Sequence, residues 1–284
     1  MAGMKNVLNQ LIQLQELDFA LTEGRAATTK MPLTQLEEAV AKSLRKLPEE
    51  LADRYQRLRK RYPLAVVPIV AGACAPCGMV VPVALVQAVK LGEQLQTCPH
   101  CGRFLYFPET LAKQPKKAVS RLDDDRPSPV GIARFSAANL MVPKLAATTR
   151  EEAIAELAQT LAVQGYIENA GTVTELALKR EAVIGTAVEH GLAFPHVRDV
   201  EGGGLTLALG LREKGLDFGA ADGKLTKIVF LIVIPTPATA FYLRVLAGLV
   251  KTFSETEVRK ALFECETPAA LWKVVTKLTR QTIP

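Results

Sequence analysis

The sequence predicts a multidomain protein in which an α-helical segment and a small β module precede a layered α/β domain. Three observations carry this. Leucines recur at helical spacing through the first 62 residues, two Cys-x2-Cys pairs lie among short β-rich pieces after residue 66, and helix and strand patterns alternate after residue 145. At 284 residues the chain is long enough for two ordinary domains. Its 49% apolar and 23% charged residues support packed cores and exclude wholesale disorder.

In chain order, Leu8, Leu11, Ile12, Leu14 and Leu17 mark a first helix, and Leu36, Val40, Leu44 and Leu47 a second, with Met31-Pro32 between them. Pro48 opens a third, "PEELADRYQRLRKRY", at a position the first helical turn tolerates. Residues 1–65 therefore read as short amphipathic helices arranged as a hairpin. Residues 66–109 form the β-rich module, which holds four of the five cysteines. Residues 110–144, rich in proline and charge and without sustained periodicity, read as a linker.

Regular patterning resumes over residues 145–284. "TTREEAIAELAQTLAVQG" places Thr149 three residues before Glu152, a capping-box spacing, and Gly165 at the helix end. "GTVTELALKRE" is a second helix with Thr172 as the expected cap. "GLTLALGL" alternates as a strand does, whereas "KIVFLIVIP" is the β-branched run expected of a central strand buried on both faces. Leu243, Leu246, Ala247 and Val250 mark a helix, Ser254 and Glu257 suggest a capping box for the next, and Thr267 with Pro268 opens the last.

The net charge of +6 is unevenly placed. Lys and Arg against Asp and Glu number 13 to 10 in residues 1–110, 7 to 3 in 111–144 and 15 to 16 in 145–284. "RYQRLRKRY" and "KQPKKAVSR" carry most of the excess. A basic helix face can meet nucleic acid or another acidic partner, although such runs are more often simply solvated. The first residues mix polar and apolar types without the apolar stretch of a signal peptide, and the longest apolar runs are far too short to cross a bilayer. The expectation is a soluble cytoplasmic protein with no membrane insertion.

Cys74 and Cys77 in "CAPC" and Cys98 and Cys101 in "CPHC" make two matched pairs with twenty residues between them. Four thiolates at this spacing can close a tetrahedron around one zinc ion, because each short knuckle turns two sulfurs toward one point. Gly78 and Gly102 follow the pairs, where knuckle amides must turn toward sulfur. A site with four protein ligands has no open position for substrate, so its expected work is structural. His100 is surplus to that set, and Cys265 reads as a small core residue. "LNQLIQLQELDFAL", the first pair, "GMVVPVALVQAVKLGEQLQ" and "CPHCGRFLYFPE" resemble the C4-type zinc-ribbon proteins with an N-terminal coiled coil, here with a shorter helical part. That resemblance implies protein or nucleic-acid contact.

"GLAFPHVRD" places His196 after a proline. An imidazole can act as nucleophile, base or ligand, so a lone histidine decides little. His190 and His196 make no convincing metal set, and neither a G-x-S-x-G elbow, a phosphate loop nor G-x-G-x-x-G occurs. The residues leave a structural histidine open beside covalent phosphoryl chemistry on the ring. Arg180, sixteen residues earlier, and Arg198, two residues later, are candidate groups for phosphoryl oxygens. Pro195 would stiffen the approach.

Residues 145–279 resemble the enzyme IIA domain of the fructose/mannitol class of the phosphoenolpyruvate-dependent sugar phosphotransferase system, including its nitrogen-regulatory relatives. The carrying stretches are "REAVIG", "GLAFPH", "GLDFGAADGK", "KIVFLIVIP" and "YLRVLAGLVKTFSETEVRKAL". The resemblance implies an α/β domain whose mixed sheet is flanked by helices, with His196 accepting a phosphoryl group in a shallow cleft and Arg180 beside it. It implies the phosphocarrier protein HPr or a relative as donor and a IIB domain as acceptor. Two positions depart from the pattern: Tyr242 stands where the family has a second histidine, and Val197 where it has a small residue. Tyrosine can hydrogen-bond a phosphate but does not share a proton near neutral pH. The expectation is a regulatory phosphohistidine protein with a zinc ribbon for partner binding. The alternative is an interaction scaffold whose IIA-like domain no longer transfers.

Overall fold

The computed structural model describes residues 2–27, 33–108, 114, 131–201, 203–235 and 238–283. These fall into two compact units, Met1–Arg25 with Pro32–Thr110, and Ala26–Met31 with Leu111–Pro284. No helix among the described residues is long and apolar enough to cross a membrane.

In the first unit, α1 (Ala2–Ala26), α2 (Leu33–Arg45) and α3 (Glu49–Arg61) precede β1 (Val66–Val70), β2 (Ala73–Cys74), α4 (Val83–Leu91) and β3 (Phe104–Tyr106). The strands lie in the order β2-β1-β3, with β1 antiparallel to β2 and parallel to β3. Leu11 and Leu14 of α1, Leu47, Tyr55 of α3, Ala65, Val66 and Phe104 form one buried cluster, so the helices and the β module share a core. Gln15 is buried within it. Its Oε1 accepts from the amides of Ala65 at 2.8 Å and Val66 at 2.7 Å, while its Nε2 donates to the Val66 carbonyl at 2.7 Å. One side chain thereby satisfies three backbone groups at the start of β1. Nearby, Tyr55 Oη and Arg59 Nε both donate to Asp18, tying α3 to α1.

The second unit contains β4 (Met141–Val142), α5 (Arg150–Val163), α6 (Ala170–Val183), β5 (Ala187–Val188), β6 (Leu192–Ala193), β7 (His196–Val200), β8 (Thr206–Leu216), β9 (Thr226–Pro235), α7 (Thr239–Phe253), α8 (Thr256–Phe263) and α9 (Pro268–Thr279). The sheet runs β4-β8-β9-β6-β5, with β7 also on β9. β9 is antiparallel to β8 but parallel to β6 and β7, so the sheet is mixed. Ile228 through Ile234 are fully enclosed, as a central strand with both faces covered requires. α5 covers β8, α6 packs on β7 and α7 on β9. The first six residues of β8 are all buried, so its alternation does not mark a solvated face. Within the stretch read as a linker, the described part from Gly131 forms two 3-10 turns and then β4, which pairs with β8. "KQPKKAVSR" lies outside the described residues apart from Gln114.

Helix termini follow local chemistry. Thr149 Oγ1 accepts from the Glu152 amide at 3.2 Å, and Thr267 Oγ1 from that of Ala270 at 3.2 Å. Two expected caps are corrected. α6 starts one turn earlier than Thr172 suggests, because Asn169 Oδ1 accepts from the Thr172 amide at 2.9 Å. Ser254 does not cap α8; its hydroxyl donates to the Lys251 carbonyl at 3.0 Å and so serves the end of α7 instead.

Gly248 sits where α7 meets the C-terminal segment, and a Cβ there would lie 2.4 Å from the Thr282 carbonyl oxygen. Because that neighbour is backbone, Gly248→Ala is expected to cost about 1–3 kcal/mol by overpacking. A thermal scan of the full chain should show the midpoint falling. An unchanged midpoint would mean that residues 280–283 are not held against α7.

Candidate functional site

The cysteine module is built from two turns with the same hydrogen-bond pattern. The Gly78 amide donates to the Cys74 carbonyl at 2.8 Å and the Gly102 amide to the Cys98 carbonyl at 2.9 Å. Both glycines have positive φ, 71° and 75°, which a side chain would strain. The four sulfurs lie within 4.8 Å of one another. Cys74 to Cys101 and Cys77 to Cys98 are each 3.8 Å apart. A tetrahedron with Zn–S bonds of about 2.3 Å has edges of about 3.8 Å. The donor set and its dimensions therefore fit zinc, and the four cysteines make one structural zinc site. Burial pushes the Cys74 thiol well above its ordinary range, so a cation is needed to hold that sulfur as thiolate.

Two arginines of the basic stretch beside the ribbon are committed to internal contacts, while Arg57, Lys60 and Arg61 are exposed. Arg54 donates to the Gly102 carbonyl at 3.3 Å and lies over the Phe104 ring, and Arg59 reaches the carbonyls of Tyr62 and Pro63 as well as Asp18. Arg61 and Arg103 both lie over Tyr62. Met79, Val80, Val83, Leu91 and Phe107, all in the ribbon, are large apolar side chains left exposed.

His196 opens β7. β6 and β7 follow one another along β9 in unbroken register, Leu192 opposite Ile228 and His196 opposite Ile232. The Phe194–Pro195 step between them keeps its place, with the Ile232 amide donating to the Pro195 carbonyl at 3.0 Å and Phe194 stacked on Phe230. The Phe194 carbonyl points the other way, to His196 Nδ1 at 3.0 Å. A carbonyl can only accept, so Nδ1 carries the proton and the lone pair of the neutral ring is on Nε2. Tyr242, from the first turn of α7, brings its hydroxyl to 3.3 Å from Nδ1, with the ring centroids 5.3 Å apart. His196 and Tyr242 are each only 1% exposed. The imidazole thus lies beneath the surface against the Tyr242 ring, and not in an open shallow cleft.

Arg180 is in the last turn of α6, the helix packed on β7, and its Nη1 donates to the Ile184 carbonyl at 2.9 Å. Arg198 is half-buried in β7, where the register with β9 shifts between Val197 and Val200. Val197 is buried and paired opposite Val233. The structure therefore brings Tyr242 into contact with His196, and places Arg180 on the helix packed against β7 and Arg198 on β7 itself, two residues along from His196.

One residue of this neighbourhood escapes sequence reading. Glu181 follows Arg180, is only 4% exposed, and accepts from the Thr186 amide at 2.8 Å and hydroxyl at 2.6 Å. Burial raises its carboxyl above the ordinary range, opposed by the Thr186 hydrogen bonds and the Arg180 charge. A signal was present: Val173, Ala177 and Glu181 are spaced four apart on the buried stripe of α6, and a carboxylate in a core stripe demands a partner.

Residues 135–278 match the family described as phosphoenolpyruvate-dependent sugar phosphotransferase system, EIIA 2, and residues 73–105 match the C4-type zinc ribbon domain. A fructose-specific EIIA component from Haloferax volcanii is 27% identical over 130 residues, covering 46% of this chain and 84% of its own length. A nitrogen regulatory protein from Bradyrhizobium diazoefficiens is 30% identical over 148 residues, covering 51% of this chain and 94% of its own. Among solved structures, nitrogen regulatory protein IIA-Ntr from Neisseria meningitidis aligns with a TM-score of 0.46 at 23% identity, over 51% of this chain and 96% of its own. A mixed sheet flanked by helices, a match that runs from the 3-10 turns before β4 into α9, and half of the chain under one family description lead to the same place: the chain belongs to the EIIA 2 family of the phosphoenolpyruvate-dependent sugar phosphotransferase system.

Proposed function

We propose that the chain is a soluble, cytoplasmic regulatory phosphohistidine protein in which His196 accepts a phosphoryl group from phosphorylated HPr or a relative and passes it to a IIB-type domain or signals by it. The observation that carries this reading is the hydrogen bond from His196 Nδ1 to the Phe194 carbonyl, which leaves Nε2 as the nucleophile. Nε2 forms an N–P bond in line as the donor's own P–N bond breaks, and that electron pair returns to the donor nitrogen. The ring keeps its Nδ1 proton throughout, and the Phe194 carbonyl dipole meets the positive charge that develops on it. Arg180 and Arg198 are the cations assigned to the phosphoryl oxygens. The exposed apolar residues of the ribbon supply the surface for a protein partner. Adding nearly two negative charges at His196 changes which partners the domain accepts.

A second reading has its own support in the burial of His196 beneath Tyr242: an interaction scaffold with a transfer-incompetent IIA-like domain. Nucleic-acid contact through the ribbon and basic helices belongs to that reading, and the internal commitments of Arg54 and Arg59 count against it. Incubation with radiolabelled phosphorylated HPr separates the two. The wild-type chain should gain an acid-labile, alkali-stable label, and His196→Ala should fall to background. A wild-type chain that takes no label supports the scaffold, and equal labelling of His196→Ala would sink the assignment of the site.

A further inference from the structure

The rung of the sheet beside His196 is incomplete in a specific way. β5 and β6 are antiparallel, with Val188 opposite Leu192 and Ala187 opposite Ala193, so the next pair along the ladder is Thr186 with Phe194. Half of that rung forms, the Phe194 amide donating to the Thr186 carbonyl at 3.1 Å. In an ordinary hydrogen-bonded pair the Thr186 amide would return the bond to the Phe194 carbonyl. Here it donates to Glu181 Oε1 at 2.8 Å instead, and Glu181 Oε2 holds the Thr186 hydroxyl at 2.6 Å. The released carbonyl of Phe194 is the one that accepts from His196 Nδ1.

We propose that Glu181 is a positioning residue: by drawing the Thr186 amide out of the ladder it reserves the Phe194 carbonyl for His196 and so sets which imidazole nitrogen keeps the proton. Glu181 touches neither the imidazole nor a phosphoryl group in this scheme and acts only through the backbone of residues 186 and 194. The inference rests on the reading of His196 as the phosphoryl acceptor for its functional meaning, but not for its test. Without the carboxylate, the Thr186 amide competes for the Phe194 carbonyl, and Nδ1–H loses part of its advantage over Nε2–H. Tyr242 then gains ground, since its hydroxyl can donate to an unprotonated Nδ1 at the observed 3.3 Å.

The experiment is long-range ¹H–¹⁵N NMR of the histidine side chains in the full-length, unphosphorylated chain, which reads the His196 tautomer directly. The wild type should show Nδ1–H. Glu181→Ala should lower the ratio of Nδ1–H to Nε2–H by roughly threefold to tenfold, the net worth of one hydrogen bond. Glu181→Gln should restore it, because its amide oxygen can accept from the Thr186 amide while its NH₂ donates to the hydroxyl. If Glu181→Ala does not fold, Glu181→Asp, whose reach is shorter by one methylene, replaces it with the same expectation. A wild-type ring protonated on Nε2, or a tautomer unmoved in a folded variant lacking the Glu181 contact, overturns the proposal. Labelling from phosphorylated HPr is measured in parallel. A tautomer that shifts in a chain that takes no label upholds the positioning role and rejects the acceptor reading.

Discussion

Replacing Cys98 by serine is expected to empty the zinc site and unfold the ribbon. The apparent free energy of structural zinc binding is on the order of 10 kcal/mol near neutral pH, and in a module this small it is largely folding free energy. The strands of the first unit are short, β2 with two residues and β3 with three, so the knuckle ends of the module depend on the metal. The loss should spread to the core that Val66 and Phe104 share with α1 and α3. Metal analysis should find one zinc per wild-type chain and none in Cys98→Ser, with the corresponding transition missing from a thermal scan. Acidification should produce the same loss, because burial already favours the protonated Cys74 thiol, so protons displace the metal as the pH falls. A Cys98→Ser chain that keeps stoichiometric zinc would refute the site.

Gln15→Leu should strongly destabilise the first unit. The leucine fills the space but leaves the amides of Ala65 and Val66 and the carbonyl of Val66 without the partners they have in α1. At about 1–3 kcal/mol for each of the three buried groups left unsatisfied, the cost is on the order of 3–9 kcal/mol. Urea denaturation of the full chain should show the midpoint for the first unit falling well below that of wild type. Gln15→Glu is the informative control: it keeps an acceptor for the two amides but loses the donor to Val66 and buries a charge, so it should also destabilise. A leucine variant as stable as wild type would mean that water takes over these groups.

Much of this architecture was legible because the signals are short in sequence. The cysteine knuckles, the caps at Thr149 and Thr267, and the unbroken apolar run of β9 each depend on residues a few positions apart. Gln15 could not be told from Gln10 or Gln13 in the same helix, since its partners are fifty residues away and only the fold brings them to it. The basic run of α3 is readable only in part for the same reason: its charge is visible locally, whereas the contacts of Arg59 with Asp18 and of Arg54 with Gly102 are not. Ser254 had the spacing of a cap but was claimed by the preceding helix. At the histidine, the residue types and their order pointed to His196 through the resemblance of a whole domain. The burial of the ring, and the partners of the Glu181 carboxylate, became visible only once the chain turned back between α6 and β6.

The acceptor for the His196 proton is a main-chain carbonyl, and that has a bearing on how such a site drifts over time. No codon at position 194 encodes the carbonyl, so the side chain there answers only to its packing on Phe230. Inheritance of the hydrogen bond is thereby transferred to the path of the backbone, which many sequences can trace. Comparison of side chains alone would count Phe194 as filler, although the group that orders the imidazole belongs to it.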